Sequence, residues 1–147
     1  VNAPGLRIMR LTEHASVPAY QSEGAAGLDL HAAIESAIEI APGAIVLIPL
    51  GFAMAIPEGF EAQVRPRSGL ASRHGVTLPN APGTIDWDYR GEVKIPLINL
   101  GSEAFRVDPG MRIAQMVVAP VSRVRVEVVD ALDDTDRGEG GFGSTGR

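Results

Sequence analysis

Cysteine is absent from this chain, which excludes disulfides and thiolate metal sites and fits a reducing compartment. Aromatic residues are scarce, at 5%, so any core must be built chiefly from Val, Ile, Leu and Ala. No apolar run approaches the ~20 residues that a membrane-crossing helix requires, because Gly or Pro interrupts each one. The N-terminus lacks the basic-then-apolar pattern of a secretory leader. These absences predict a cytoplasmic protein with no membrane partner. A surplus of positive charge is missing too: 13 Lys and Arg stand against 18 Asp and Glu, for a net charge of −5. Nothing in that balance attracts nucleic acid or anionic lipid, so a phosphate-bearing ligand must be held by local groups.

What remains is abundant in turn formers. With 147 residues the chain suits one domain that buries roughly 68–70% of its unfolded surface. Seventeen Gly and eleven Pro punctuate short apolar runs at Leu6–Leu11, Leu28–Leu30, Ile45–Leu50, Phe52–Ile56, Phe60–Val64, Val93–Leu100, Ile113–Val118 and Val124–Val129. Between them Pro42-Gly43, Pro57-Glu58-Gly59, Pro82-Gly83 and Asp108-Pro109-Gly110 turn the chain, since proline presets φ and glycine accepts φ > 0. This pattern predicts an all-β fold, a β-sandwich, barrel or jelly roll. One short helix is predicted over Ser68–His74, with Ser68 capping its start and Gly75 closing its end. The stretch from Leu78 to Glu92 reads as a hairpin. After Asp130 acidic residues and glycines crowd around a single large apolar residue, Phe142, so 1–130 is read as the domain and 131–147 as a flexible C-terminal arm.

Five stretches are more particular than turns require. They are Ala26-Gly27-Leu28-Asp29-Leu30, Pro66-Arg67-Ser68-Gly69-Leu70-Ala71, Gly83-Thr84-Ile85-Asp86-Trp87-Asp88-Tyr89-Arg90-Gly91, Arg112-Ile113-Ala114-Gln115-Met116, and the run from Arg137 to Gly146. In that order and spacing they resemble the five motifs of the trimeric dUTP pyrophosphatase (dUTPase) family, over most of the chain. The departures, Leu28, Trp87 and Met116 at positions where the family often carries other side chains, fall at apolar or variable sites.

The resemblance implies a Mg²⁺-dependent hydrolysis of dUTP to dUMP and pyrophosphate. That reaction limits uracil incorporation into DNA and supplies dUMP for thymidylate synthesis. Asp86 is implied as general base, because a carboxylate can orient the attacking water and take its proton. Asp88 is its rival on the residues alone, and is expected instead in a contact with Arg90. Asp29 is implied to position hydrated Mg²⁺ through water, in keeping with an ion that gives up its waters reluctantly. On the residues alone, a carboxylate capping a turn is the alternative reading of Asp29. Arg67, Ser68, Gly69 and Gln115 are implied phosphate contacts, the helix start offering free N–H groups. Asn80, Thr84 and Tyr89 are implied to hold deoxyuridine, with Asn80 reading the uracil edge and Tyr89 leaving no space for a ribose 2′-hydroxyl. A turn asparagine and a half-buried strand tyrosine explain Asn80 and Tyr89 equally well without the motif. Arg137, Phe142, Gly143, Ser144 and Thr145 are implied to close over the nucleotide, Phe142 stacking on uracil. The family also implies a homotrimer of jelly-roll protomers with shared sites, in which the arm comes from a third chain. His14, His31 and His74 fit no metal or triad spacing and receive no role. Two rival readings are a dCTP deaminase on the same fold and a nucleotide-gated binding module that does not need hydrolysis.

Overall fold

Short apolar runs separated by Pro and Gly turns become strands that pair across the chain. A computed structural model describes residues 3–144 and Gly146. Strand β1 spans Arg7–Arg10, β2 Leu28–His31, β3 Ile38–Ile40, β4 Ile45–Ala55 and β5 Phe60–Arg65. Helix α1 covers Ser68–His74. It is followed by β6 at Val76–Thr77, β7 at Gly83–Ile85, β8 at Glu92–Asn99, β9 at Phe105–Val107 and β10 at Arg112–Pro120. The fold is mostly β with one short helix, and no described helix is long and apolar enough to cross a membrane.

Two four-stranded antiparallel sheets, ordered β1-β4-β8-β6 and β2-β10-β5-β7, are joined by a β3-β9 ribbon. In β8 the side chains alternate, as a pleated strand requires: Val93, Ile95, Leu97 and Asn99 are buried, and Glu92, Lys94 and Pro96 face the other way. One core cluster takes Phe52, Ile95 and Leu97 from the first sheet, Leu30 and Met116 from the second, and Ile40 and Val107 from the ribbon. Each large aliphatic or aromatic side chain so enclosed contributes about 1.5–3 kcal/mol. The buried Asn99 is satisfied within this apolar surrounding. Its Nδ2 donates to the Ile40 carbonyl at 2.9 Å and the Glu103 carbonyl at 2.7 Å, and its Oδ1 accepts from the Gly101 N–H at 2.9 Å.

The structure departs from the sequence reading in several places. The runs Ile45–Leu50 and Phe52–Ile56 merge into the single strand β4, bent at Gly51, where φ is 71° and the register slips between Pro49 and Ala53. A Cβ at Gly51 would meet Thr12 Oγ1 at 2.7 Å and the Ala33 Cβ at 2.9 Å, so glycine alone permits the bend. Helix α1 has the predicted bounds and ends on a left-handed Gly75, but Ser68 does not cap it. Arg67 occupies the cap position with φ −87° and ψ 130°, while Ser68 already belongs to the helix, where its hydroxyl cannot reach forward to the free N–H groups. The stretch from Leu78 to Glu92 is not a hairpin closed on itself. Strand β7 pairs with β5, through Gly83↔Val64 and Ala62↔Ile85, and β8 pairs with β4 and β6, so the connection bridges the two sheets. Beyond Pro120 the described residues form turns, bends and irregular chain but no strand, so the run Val124–Val129 has no partner strand among the described residues.

Candidate functional site

The first group of polar side chains gathers where β2 meets β10. Their register places Asp29 opposite Gln115 and His31 opposite Arg112. Asp29 is nearly enclosed, its side chain 13% exposed, and it is held by two guanidinium groups. Arg112 Nη1 donates to its Oδ2 at 3.3 Å, and Arg67 Nε stands 3.9 Å from its Oδ1. Arg67 also donates from Nη1 to the Arg112 carbonyl at 3.4 Å. Two arginines around one carboxylate leave one positive charge in surplus, which suits an anion in an otherwise acidic chain. Gln115 Nε2 donates to the Pro66 carbonyl at 3.1 Å, and a Cβ on Gly27 would come within 2.6 Å of the Gln115 Oε1. Glycine at position 27 therefore leaves the Gln115 amide its place. Ser68 and Gly69 follow Arg67 at the exposed start of α1.

His31, given no role from sequence, lies beside this group. Burial lowers its imidazole pKa from the ordinary value; Asp29 pulls the other way, and Arg112 and Arg67 add to the lowering. It is therefore mostly neutral at pH 7, with a buried Nδ1 that has no hydrogen-bond partner.

The second group surrounds the connection between β7 and β8. A cavity of about 440 Å³ is bordered by Thr84, Asp86 and Tyr89, together with Leu47, Glu92 and Lys94. The chain turns here: Tyr89 N–H donates to the Asp86 carbonyl at 3.2 Å, which brings Asp86 and Tyr89 to one cavity although side chains three apart in a flat strand would face opposite ways. The Tyr89 hydroxyl donates to the Glu92 carbonyl at 3.0 Å. Arg90 does not pair with Asp88. Its Nη1 donates to the carbonyls of Trp87 at 2.7 Å and Tyr89 at 3.0 Å, because the turn aims those acceptors back at it. Asp88 borders a different cavity, beside Glu58, Phe60, Glu61 and Trp87, and Asp86 touches both. Asn80 packs at the near end of β7, its Nδ2 being 3.2 Å from where a Cβ on Gly83 would lie. Sequence reasoning missed Leu47, Glu92 and Lys94. The last two, with Nζ 3.7 Å from Oε2, were readable as the outward residues of an alternating strand.

A third group lies on the C-terminal stretch. Arg137 donates from Nε to the Gly140 carbonyl at 2.7 Å, and the Ser144 N–H donates to the Gly141 carbonyl at 3.0 Å. Phe142, at φ 50°, and Gly143, at φ 86°, sit on such a turn with the phenyl ring wholly exposed. Thr145 lies outside the described residues. The chain does not unite these groups: neither Asp29, Arg67, Gln115 nor any described arm residue borders the cavity at Asp86. No described trio of His, Asp or Glu could cage a metal ion. Asp29 offers a single enclosed carboxylate, a donor set that fits a hydrated ion taking its other ligands from phosphate.

Comparison with known proteins supplies the context for this arrangement. The sequence model of the family described as dUTPase matches residues 13–146. A deoxyuridine 5′-triphosphate nucleotidohydrolase of Rhizobium leguminosarum bv. trifolii is 58% identical over 147 aligned residues, covering 97% of this chain and 94% of that protein. One from Desulfotalea psychrophila is 61% identical over 137 residues, covering 93% and 91%. Among solved structures, the dUTPase of Staphylococcus bacteriophage 80alpha with dUPNHPP superposes with a TM-score of 0.89 at 25% identity, covering 97% of this chain and 99% of that one.

Proposed function

The chain belongs to the dUTPase family and is a deoxyuridine 5′-triphosphate nucleotidohydrolase; from that premise we propose how its residues convert dUTP to dUMP and pyrophosphate. Asp86 accepts the proton of a water aimed at the α-phosphorus, a role supported by its bordering the same cavity as Thr84 and Tyr89. Thr84 and Tyr89 hold the deoxyribose side of the substrate, and Asn80 reads the pairing edge of uracil. Arg67, Ser68, Gly69 and Gln115 hold the phosphates, with the surplus positive charge around Asp29 balancing the leaving pyrophosphate. The family uses Mg²⁺. Bound beside Asp29 through water, it supplies charge neutralisation and orientation of the triphosphate. Phe142 stacks on the base, and Arg137, Gly143, Ser144 and Thr145 close the phosphate end.

Each site is completed by copies of the chain in a homotrimer of jelly-roll protomers, as the family resemblance implies; the separation of the Asp29 group, the arm and the Asp86 cavity in one chain supports sharing. The domain ends near Asp130 and the arm is 131–147. Support comes from the stretch after Pro120. Val124, Val126 and Val128 alternate with Arg123, Arg125 and Glu127 as a half-buried strand would, yet the valines are 82%, 84% and 98% exposed. Such a run has the pattern of a strand that pairs with another copy.

The observation that carries this reading is the cavity shared by Thr84, Asp86 and Tyr89, with the arginine–carboxylate group held elsewhere on the same chain. Pyrophosphate release from dUTP, dTTP, dCTP and UTP, with and without Mg²⁺, tests it. Release from dUTP alone, dependent on Mg²⁺, is expected. Ammonia from dCTP would favour a deaminase, and dUTP binding that shields the arm from protease without turnover would favour a binding module.

A further inference from the structure

Tyr89 has a seat as well as a hydrogen bond. The ring turns back over the chain at Gly91: a Cβ on that residue would overlap the Tyr89 hydroxyl and stand 2.7 Å from its Cζ and 3.0 Å from its Cε2. Real Cβ atoms do not approach a ring that closely, so any side chain at position 91 must displace the tyrosine or the backbone beneath it. Backbone conformation does not explain a glycine here, since Gly91 is not among the residues with positive φ. Space for the tyrosine does. The ring is half exposed and rigid, with one hydroxyl bond to the Glu92 carbonyl at 3.0 Å, so yielding at the ring is the easier response.

We propose that Gly91 is a specificity-determining residue: the absence of a side chain there seats the Tyr89 ring at the height that admits deoxyribose and refuses ribose. The inference rests on the reading that Tyr89 lies under the sugar. Discrimination against one added hydroxyl depends on the absence of room for it, and a lifted or tilted ring opens that room. Gly91 acts only through Tyr89 and is a positioning residue, not a group that touches substrate.

The test is the ratio of kcat/KM for dUTP to that for UTP, taken on one preparation so that the active fraction cancels. Gly91→Ala should lower this ratio at least about tenfold, and Tyr89→Ala should lower it at least as far. In the Tyr89→Ala background, adding Gly91→Ala should change the ratio little, because the ring it displaces is gone. A fall of the same factor in both backgrounds, or no fall in Gly91→Ala alone, would overturn the proposal while leaving Tyr89 under the sugar. Should Tyr89→Ala itself keep the ratio, the sugar-floor reading fails and the proposal with it. Tyr89→Phe probes the same seat without touching position 91. It should keep most of the discrimination because the ring still rests on Gly91, and a loss as large as that of Tyr89→Ala would assign the positioning to the hydroxyl bond instead.

Discussion

Valine behaves in opposite ways on the two sides of Pro120. Val93 and Val107 are 2% and 0% exposed within paired strands, whereas Val124, Val126 and Val128 stand almost bare in a stretch with the same alternation. Local preference does not separate the two regions, because Val93 and Ile95 in β8 alternate with polar residues much as Val124, Val126 and Val128 do. Neighbours separate them. Before Pro120 each strand finds a partner inside the chain; after it, among the described residues, none does. The polar residues follow the same division: the body carries the Asp29–arginine group and the Asp86 cavity, while Phe142 sits on a turn with its ring exposed. The lesson is that one residue pattern is buried where the chain supplies a partner strand and left bare where it does not.

The contrast can be broken from either side. In the body, Asp86→Asn should lower kcat for dUTP on the order of 10²–10⁴-fold if it is the proposed base, with little change in thermal midpoint, since its carboxylate is exposed and outside the core. Near-normal turnover in a steady-state assay would remove Asp86 from its role. In the tail, ending the chain at Asp130 should cost about 10²-fold in kcat/KM while a urea transition of the assembled protein stays in place, because the proposed arm closes over substrate and its described residues add nothing to the core. A smaller but sharper pair compares phenylalanines. Phe52→Ala, in a residue 1% exposed, should destabilise by about 3–5 kcal/mol in equilibrium unfolding. Phe142→Ala, in a ring free of the core, should leave stability unchanged and raise KM. Equal effects of the two on stability would mean that the arm packs on the body and that the division drawn here is wrong.

Much of this body was legible in the sequence, for identifiable reasons. Helix α1 was readable to the residue because Gly75, after Arg73 and His74, offers a left-handed stop. Strands β5, β8 and β10 were readable because each is long enough to show alternation. Strands β3 and β9, at three residues each, were not: so short a run has no period, and only the pairing of Ile38 with Val107 and Ile40 with Phe105 makes them strands. The Leu78–Glu92 connection was misread as a hairpin because turn chemistry shows where a chain reverses but not which strand it joins. Ser68 was misplaced by one position, since both Arg67 and Ser68 can stand at a helix start and the cap depends on backbone angles. For the candidate site, Asp29, Arg67, Asp86, Tyr89 and Gln115 could be singled out as candidates from their motifs. The pairing of Asp29 with Arg112, and the seating of Gln115 over Gly27 and of Tyr89 over Gly91, could not, because these depend on register or on the local path of the folded chain.

Shared sites are the centre of this account, and mixing two disabled variants tests them directly. Asp86→Asn protein and protein ending at Asp130 are each nearly inactive, and are unfolded and refolded together in equal amounts. If the base and the arm come from different copies, roughly a quarter of the sites in randomly mixed trimers receive both intact, and dUTP hydrolysis returns to about that fraction of the unaltered protein. If the mixture stays as inactive as its parts while forming mixed oligomers, base and arm belong to the same chain and the shared-site arrangement is contradicted.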